Sequence, residues 1–496
     1  MGDDEEKLTD STVRVRDTEV TEVAVANSKT GGPDVVVVHW EPGDPGHPTN
    51  WPRLKKYLIV CSVCSITALS IANATCLAIM STWGVDFYNT TRLGFTVGLT
   101  VYNLSVSFTP MILTPISEGF GRNEIYQVTS LLIALLFIPQ ALSRSYSGFL
   151  AARWFQGMAS SVGISMVGGT IADMFTARER GKVMNLFSLF VFVGQGSGGL
   201  VMGWVGEKAG FQWCFGVFGI ACAGSCVLII VFCRETRADT LLRRRAAHLT
   251  KSTGVCHVAD CDWHAEHKSL MQKLRVTAIR PFQFLVMEPI VTFLSVWVGF
   301  AWAVIFLGGT ATMLVFEQYG FGPGQTGSTQ ACIIVGGVIG YFSQFHQEKI
   351  YRKVAERSAS GHAPPEARLY WAAFGGLLFP AGMMAPEIPW PVPAVMLCIS
   401  YWGVYCMYIG TFNYLADAYE TYSSSAQAAQ SFARNTISGV FPLFARQMYI
   451  KMGYPQASSL VAALGFVLSL APFLLIKYGA RLRAKSPITS SLVGQL

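Results

Sequence analysis

Three arginines, Arg153, Arg434 and Arg446, stand within apolar runs about 20 residues long, the length that crosses a bilayer. A charge at such depth is costly, which makes each a candidate for function. Arg153, Gln156 and Gly157 fall at i, i+3 and i+4, on one helical face. A buried guanidinium can hold a carboxylate or shift a neighbour's proton affinity, linking protonation to conformation. The alternative is a structural arginine tied to backbone carbonyls. Gln427, Ser431, Arg434 and Ser438 form a second polar stripe, flanked by Gln430 and Asn435, and Thr96, Thr100, Asn103 and Ser107 form a third. Hydrocarbon would not tolerate these faces, so they are expected to line a central aqueous path. Asn73, Asn103, Gln156, Trp302, Tyr405, Arg434, Asn435 and Arg446 are the expected cavity residues. The aromatic rings among them could stack on a flat, partly apolar ligand. Glu288, at the start of an apolar run, either carries a proton or is held there by the helix dipole. One carboxylate against three arginines favours a neutral or anionic ligand over a cation, which would need a compensating charge.

The elements that must position these residues are twelve apolar spans: 57–80, 93–115, 125–143, 147–172, 183–206 and 213–233, then 286–310, 326–346, 369–386, 391–415, 427–449 and 457–477. The expected organisation is an acidic, disordered cytosolic tail (1–50), a six-helix half (51–233) and a cytosolic central loop (234–284). A second six-helix half (285–479) and a basic cytosolic tail (480–496) follow. The fold class expected is an all-α membrane protein of two pseudo-symmetric six-helix halves, the plan of a transporter. With both ends inside, 26 of the 37 Lys and Arg lie on inner flanks and four (Arg92, Arg144, Lys208, Lys451) on outer ones. The positive-inside rule therefore predicts cytosolic termini. The first span is expected to serve as an uncleaved insertion signal.

Composition excludes several classes. The 496 residues are 51% hydrophobic and 14% charged, with a mean hydropathy of +0.39. Soluble proteins carry about 25% charged residues. The net charge of +7 gives no reason to expect nucleic-acid binding. Most of the twelve cysteines lie in or against apolar runs, as small apolar filler rather than a disulfide framework. Cys256, Cys261, His264 and His267 could form a tetrahedral zinc set, but their spacing matches no standard finger; a solvated loop without metal is expected. A phosphate-binding Gly-Lys-Ser/Thr loop is missing, as is any nucleophile–base pair, so neither a nucleotide-driven pump nor an enzyme is expected, and no cofactor. Asn89-Thr90-Thr91 is a glycosylation sequon close to a span, and is expected to stay unmodified.

At particular residues the chain resembles the major facilitator superfamily, and within it the fungal twelve-span drug:proton antiporters. The likeness runs from Asp44-Pro45-Gly46-His47-Pro48-Thr49-Asn50-Trp51 through Pro115 to Arg122, Arg153 to Gly157, Ile171-Ala172-Asp173 and Glu179-Arg180-Gly181. It continues in Arg280-Pro281-Phe282, Glu288-Pro289, Tyr319-Gly320-Phe321, Pro364 to Leu369 and Asn413 to Tyr419. The resemblance implies that Arg153 takes part in proton coupling; Glu288, from its place in the apolar run, is the other proton-coupling candidate. The resemblance also implies that Glu118, Arg122, Asp173 and Arg180 form an inner gate. Gly119 replaces the family's basic residue after the acid. In span 5, Gly194, Gly198 and Gly203 remain, while Gln195 and Gly199 replace prolines.

The expected function is alternating-access export of a small organic molecule, a secondary metabolite or drug-like compound, in exchange for protons. An organic-acid exporter of the same fold and a non-transporting membrane sensor are the alternatives. A monomer in the plasma membrane is expected, with an organellar membrane as the alternative.

Overall fold

The computed structural model describes residues 22–25, 35–263, 270–358, 363–381, 389–419 and 422–485. Nearly all are helical. Span 1 is Arg53–Thr75 continued by Leu77–Phe87, span 2 is Arg92–Phe108 and Pro110–Phe120, and span 3 is Arg122–Leu135 and Phe137–Leu142. Span 4 is Tyr146–Ser165 and Val167–Met174, span 5 Ala177–Ala209 and span 6 Phe211–Phe232. In the second half, span 7 is Pro289–Glu317, span 8 is Pro323–Ser328 and Ala331–Arg357, and span 9 begins with Tyr370–Ala381. Span 10 is Pro391–Tyr419, span 11 is Ser423–Val440 and Pro442–Met452, and span 12 is Tyr454–Leu468 and Leu470–Lys485.

Among the described residues, eight of these segments are long and apolar enough to cross a membrane on their own composition. Spans 4, 8 and 11 fall short, and of span 9 only the helix Tyr370–Ala381 is described. Arg153 dilutes span 4 and the polar stripe span 11, whereas span 8 runs on into the polar stretch Gln344 to Arg357. Such segments are held at depth by their neighbours. Burial sorts the rest: 83% of the span 7 window is inside protein, against 33% for spans 3, 6 and 12. Span 7 is therefore central, and the other three offer Leu131, Ile220 and Leu474 to lipid.

The halves meet where span 5 packs on span 8 and span 2 on span 11. At the first contact glycines bring the backbones together. A Cβ on Gly203 would lie 2.8 Å from the Pro323 carbonyl oxygen and 3.2 Å from Gly327 Cα. Gly194 and Gly198 seat span 5 against the Ala68 and Ala72 backbone of span 1 in the same way. Only a residue without a side chain permits that approach.

In the N-terminal tail the described residues, 22–25 and 35–50, differ from expectation. Strand β1 (Glu22–Val25) pairs antiparallel with β2 (Val35–Val38), and β2 pairs parallel with β3 (Cys256–Ala259) of the central loop, Val35 opposite Cys256. Val38 and Ala259 pack on Leu242 and Ala246 of the loop helix Ala238–Thr253. Acidic composition had argued for disorder, but four consecutive valines outweigh it once the loop supplies a partner strand. The stretch that follows folds locally. The Asp44 carboxylate accepts from Gly46 N–H at 2.6 Å and pairs with Arg245 at 2.8 Å. The Asn50 amide donates to Asp44 O at 2.9 Å, and Lys56 Nζ donates to Thr49 O at 2.6 Å.

Candidate functional site

Arg153 is fully buried in span 4. Its Nη1 donates to Asn73 Oδ1 at 2.9 Å and to Asn73 O at 3.3 Å, with the guanidinium over the Phe149 and Phe215 rings. The Asn73 amide donates to Gln156 Oε1 at 2.9 Å, and Gln140 donates to the same oxygen at 3.2 Å. Asn73 and Gln156, expected in the cavity, thus belong to a closed network inside the first half, and neither lines the central cavity. A helical face pointing inward serves a neighbouring helix as readily as a water path. Among the described residues Arg153 makes no ion pair, and its Nε and Nη2 have no hydrogen-bond partner. Glu288 is also fully buried, accepting from the Tyr419 hydroxyl at 2.9 Å. The two proton-coupling candidates therefore sit in different halves, with different neighbours.

Between the halves lies a central cavity of about 20 Å³, room for one or two waters. Asn103, Trp302, Tyr408, Arg434 and Asn435 line it. The Arg434 guanidinium stands 4.8 Å from the Trp302 ring and 5.3 Å from the Tyr408 ring, and its Nη2 donates to Ser431 Oγ at 3.3 Å. Cation–π attraction holds a charge without neutralising it, so the guanidinium keeps its capacity for an anion. The stripes of spans 2 and 11 face one another: Thr100 donates to Gly439 O at 2.8 Å, and Thr436 donates to Ser107 Oγ at 3.3 Å. Asn103 Nδ2 is buried with no partner among the described residues.

Tyr405 is not in the cavity. Its hydroxyl lies 2.7 Å from Asn185 Oδ1 and 2.9 Å from Asn185 O, and Asn185 Nδ2 donates to Tyr341 O at 3.1 Å. On an α-helix, Tyr405 and Tyr408 are only three residues apart, yet one faces span 5 and the other the cavity. Arg446 is displaced too: it lines a separate cavity of about 180 Å³ on the side away from the central loop. The halves also touch at the central-loop side, where Phe412 of span 10 meets Gly168 of span 4.

At the loop-side mouth, Arg122 Nε pairs with Asp173 at 2.9 Å and its Nη1 donates to Met166 O at 3.1 Å. Arg180 donates to Ala172 O at 3.4 Å. The Glu118 side chain lies outside the described residues, as do His264 and His267. No group of three or more potential metal ligands occurs among the described residues. Glu235, which sequence reasoning passed over, accepts from the backbone N–H groups of Arg122, Asn123, Thr236 and Arg237, fastening the end of span 6 to the start of span 3. Its partners in span 3 lie 113 and 112 residues away, so spacing along the chain gave no signal for them. The second half repeats the arrangement. Arg368, before span 9, pairs with Asp417 at the end of span 10 at 2.8 Å and with Glu348 at 3.0 Å. Arg483 at the end of span 12 pairs with Glu366 at 2.9 Å.

Two six-span halves with matching ionic clamps, and a small cavity of polar and aromatic residues between them, define a two-half membrane transporter. The chain belongs to the Major Facilitator Superfamily, whose model matches residues 58–445. It is 32% identical over 463 residues to the efflux pump radE of Floropilus chiversii, covering 91% of this chain and 85% of that one. It is 30% identical over 460 residues to the major facilitator superfamily multidrug transporter mdrA of Aspergillus fumigatus, covering 91% and 76%. Among solved structures, a peptide transporter POT in complex with sulfate matches with a TM-score of 0.61 at 12% identity, covering 87% of this chain and 96% of that one. The xylose transporter XylE from E. coli matches at 0.57 and 13%, covering 85% and 99%. At such identities the structures speak for the fold alone.

Proposed function

We propose that this protein exports a small neutral or anionic organic molecule by alternating access, in exchange for protons. The observation that carries the reading is Arg434, set between Trp302 and Tyr408 in a cavity whose lining includes no carboxylate among the described residues. A cationic ligand there would meet an uncompensated positive charge, whereas a flat organic acid or neutral aromatic would find rings to stack on and a donor to bind. The names of the efflux-pump relatives support the direction of transport. Arg153 and Glu288 are the proposed coupling residues, the first as a buried charge sensitive to its neighbours' protonation and the second as the proton carrier. The protein acts as a monomer in the plasma membrane, with both termini in the cytosol. The test is accumulation of a fluorescent reporter in cells lacking the gene, relieved by re-expression, with and without a protonophore. Export unchanged after the proton gradient collapses removes the antiport half. Competition by polyamines alone, with organic anions and neutral aromatics inert, refutes the assignment of ligand charge.

A further inference from the structure

The far-side cavity has an electrostatic character of its own. Arg92 at the start of span 2 and Arg446 and Lys451 in the second helix of span 11 line it, and among the described residues no acidic one does. Among the described residues, none of the three has an ion pair or a side-chain hydrogen bond. The contrast with the loop side is plain: there Arg122, Arg244, Arg368 and Arg483 each face a carboxylate within hydrogen-bond reach. Three like charges sharing one mouth repel one another and raise the local concentration of anions. The remaining wall mixes apolar Leu93, Met313 and Ile450 with the neutral Thr96. Arg446 also stands twelve residues beyond Arg434 on the same span, roughly 18 Å along a helix axis.

We propose that this mouth is a binding station for organic anions, a carboxylate or sulfonate on an apolar body. The anion bound at Arg434 passes to Arg446, Arg92 and Lys451 before leaving on the far side. The exit role rests on the export reading above; the station itself does not, and its test involves no transport. An anionic lipid headgroup would satisfy the same chemistry, so the bilayer is one arm of the experiment.

Gln447, exposed and lining the same cavity, is replaced by cysteine in the full-length protein, held in phosphatidylcholine nanodiscs. Labelling at position 447 by an anionic and a cationic methanethiosulfonate is followed by mass spectrometry of the peptide. Neutralising the cluster (Arg92→Gln, Arg446→Gln and Lys451→Gln together) should lower the anionic-to-cationic rate ratio about ten-fold at physiological salt. Naphthalene-2-sulfonate at about twice its dissociation constant should slow labelling of the native cluster about three-fold and leave the neutralised one unaffected. Arg446→Gln alone, a milder variant, should give an intermediate ratio. A ratio insensitive to neutralisation, equal protection of both forms, or no labelling by either reagent overturns the proposal. Protection by phosphatidylglycerol in the nanodisc, with none from the sulfonate, overturns it in favour of a lipid headgroup.

Discussion

Replacing Tyr405 by Phe should tip the protein toward the state open at the central-loop side. Tyr405 and Asn185 are both buried, and they belong to spans 10 and 5, on opposite sides of the cleft. Phenylalanine keeps the ring but removes the hydroxyl that reaches Asn185 Oδ1 at 2.7 Å. The net loss is one neutral hydrogen bond plus a buried acceptor left without that donor, about 1–2 kcal/mol. This contact spans the halves, so it is lost when the loop side opens, and its full worth enters the opening equilibrium. The open population relative to closed should rise about 5- to 30-fold. The assay is electron–electron distance measurement between spin labels at Lys182→Cys and Lys353→Cys, with the exposed Cys61 and Cys256 replaced by Ser. Gly181 and Glu348 nearby are close across the closed cleft, a Cβ on the former lying 4.0 Å from the latter's carboxylate, so opening should add a distinctly longer distance. An unchanged distance distribution in a normally folded Tyr405→Phe protein would refute the reasoning.

Three further outcomes are expected. Arg153→Lys keeps the charge but loses the fork that holds Asn73; with one or two charge-assisted bonds gone, turnover should fall about 10- to 100-fold at normal expression, and a wild-type rate contradicts the role assigned. Gly203→Ala places a methyl group against the Pro323 backbone and should cost about 1–3 kcal/mol, read as a lower melting temperature in detergent; an unaltered melting temperature means that the seam has slack. Burial lowers the pKa of His47 from its usual 6.5, with Asp44 only partly opposing it, and Thr49 N–H donates to its Nδ1. The folded tail therefore resists protonation, and its stability, full above the unfolded value, should fall as pH drops through that value toward the folded one. Hydrogen exchange over 39–52, corrected for intrinsic rates, should accelerate at pH 5.5 relative to 7.5 in the native protein and not in His47→Asn.

Much of the architecture was legible because a bilayer makes its demands locally: a long apolar run must span, and a polar stripe must turn inward. Thr100, Ser107, Arg434 and Ser438 could be placed on faces from spacing alone. What periodicity does not supply is the identity of the facing helix. Gln156 and Asn103 both read as inward polar residues, yet one joins Asn73 and Gln140 within a half while the other borders the cavity. Arg446 read as part of the centre, because a span's sequence does not reveal the depth at which its proline, Pro442, divides it. Glu235 went unnoticed for a related reason: it acts on the N-terminus of span 3, far away in sequence.

The strand pairing of the tail has a consequence for how the protein is made. Val35 cannot meet Cys256 until synthesis has passed Ala259, by which time all six spans of the first half exist. Up to that moment the edge of Val35–Val38 not paired with β1 stands uncovered, the kind of edge that aggregates or recruits a chaperone. Its pairing joins the two ends of the first half in one hydrogen-bonded unit. Both strands precede span 7 in the chain, so the first half can be fastened at both ends without any span of the second.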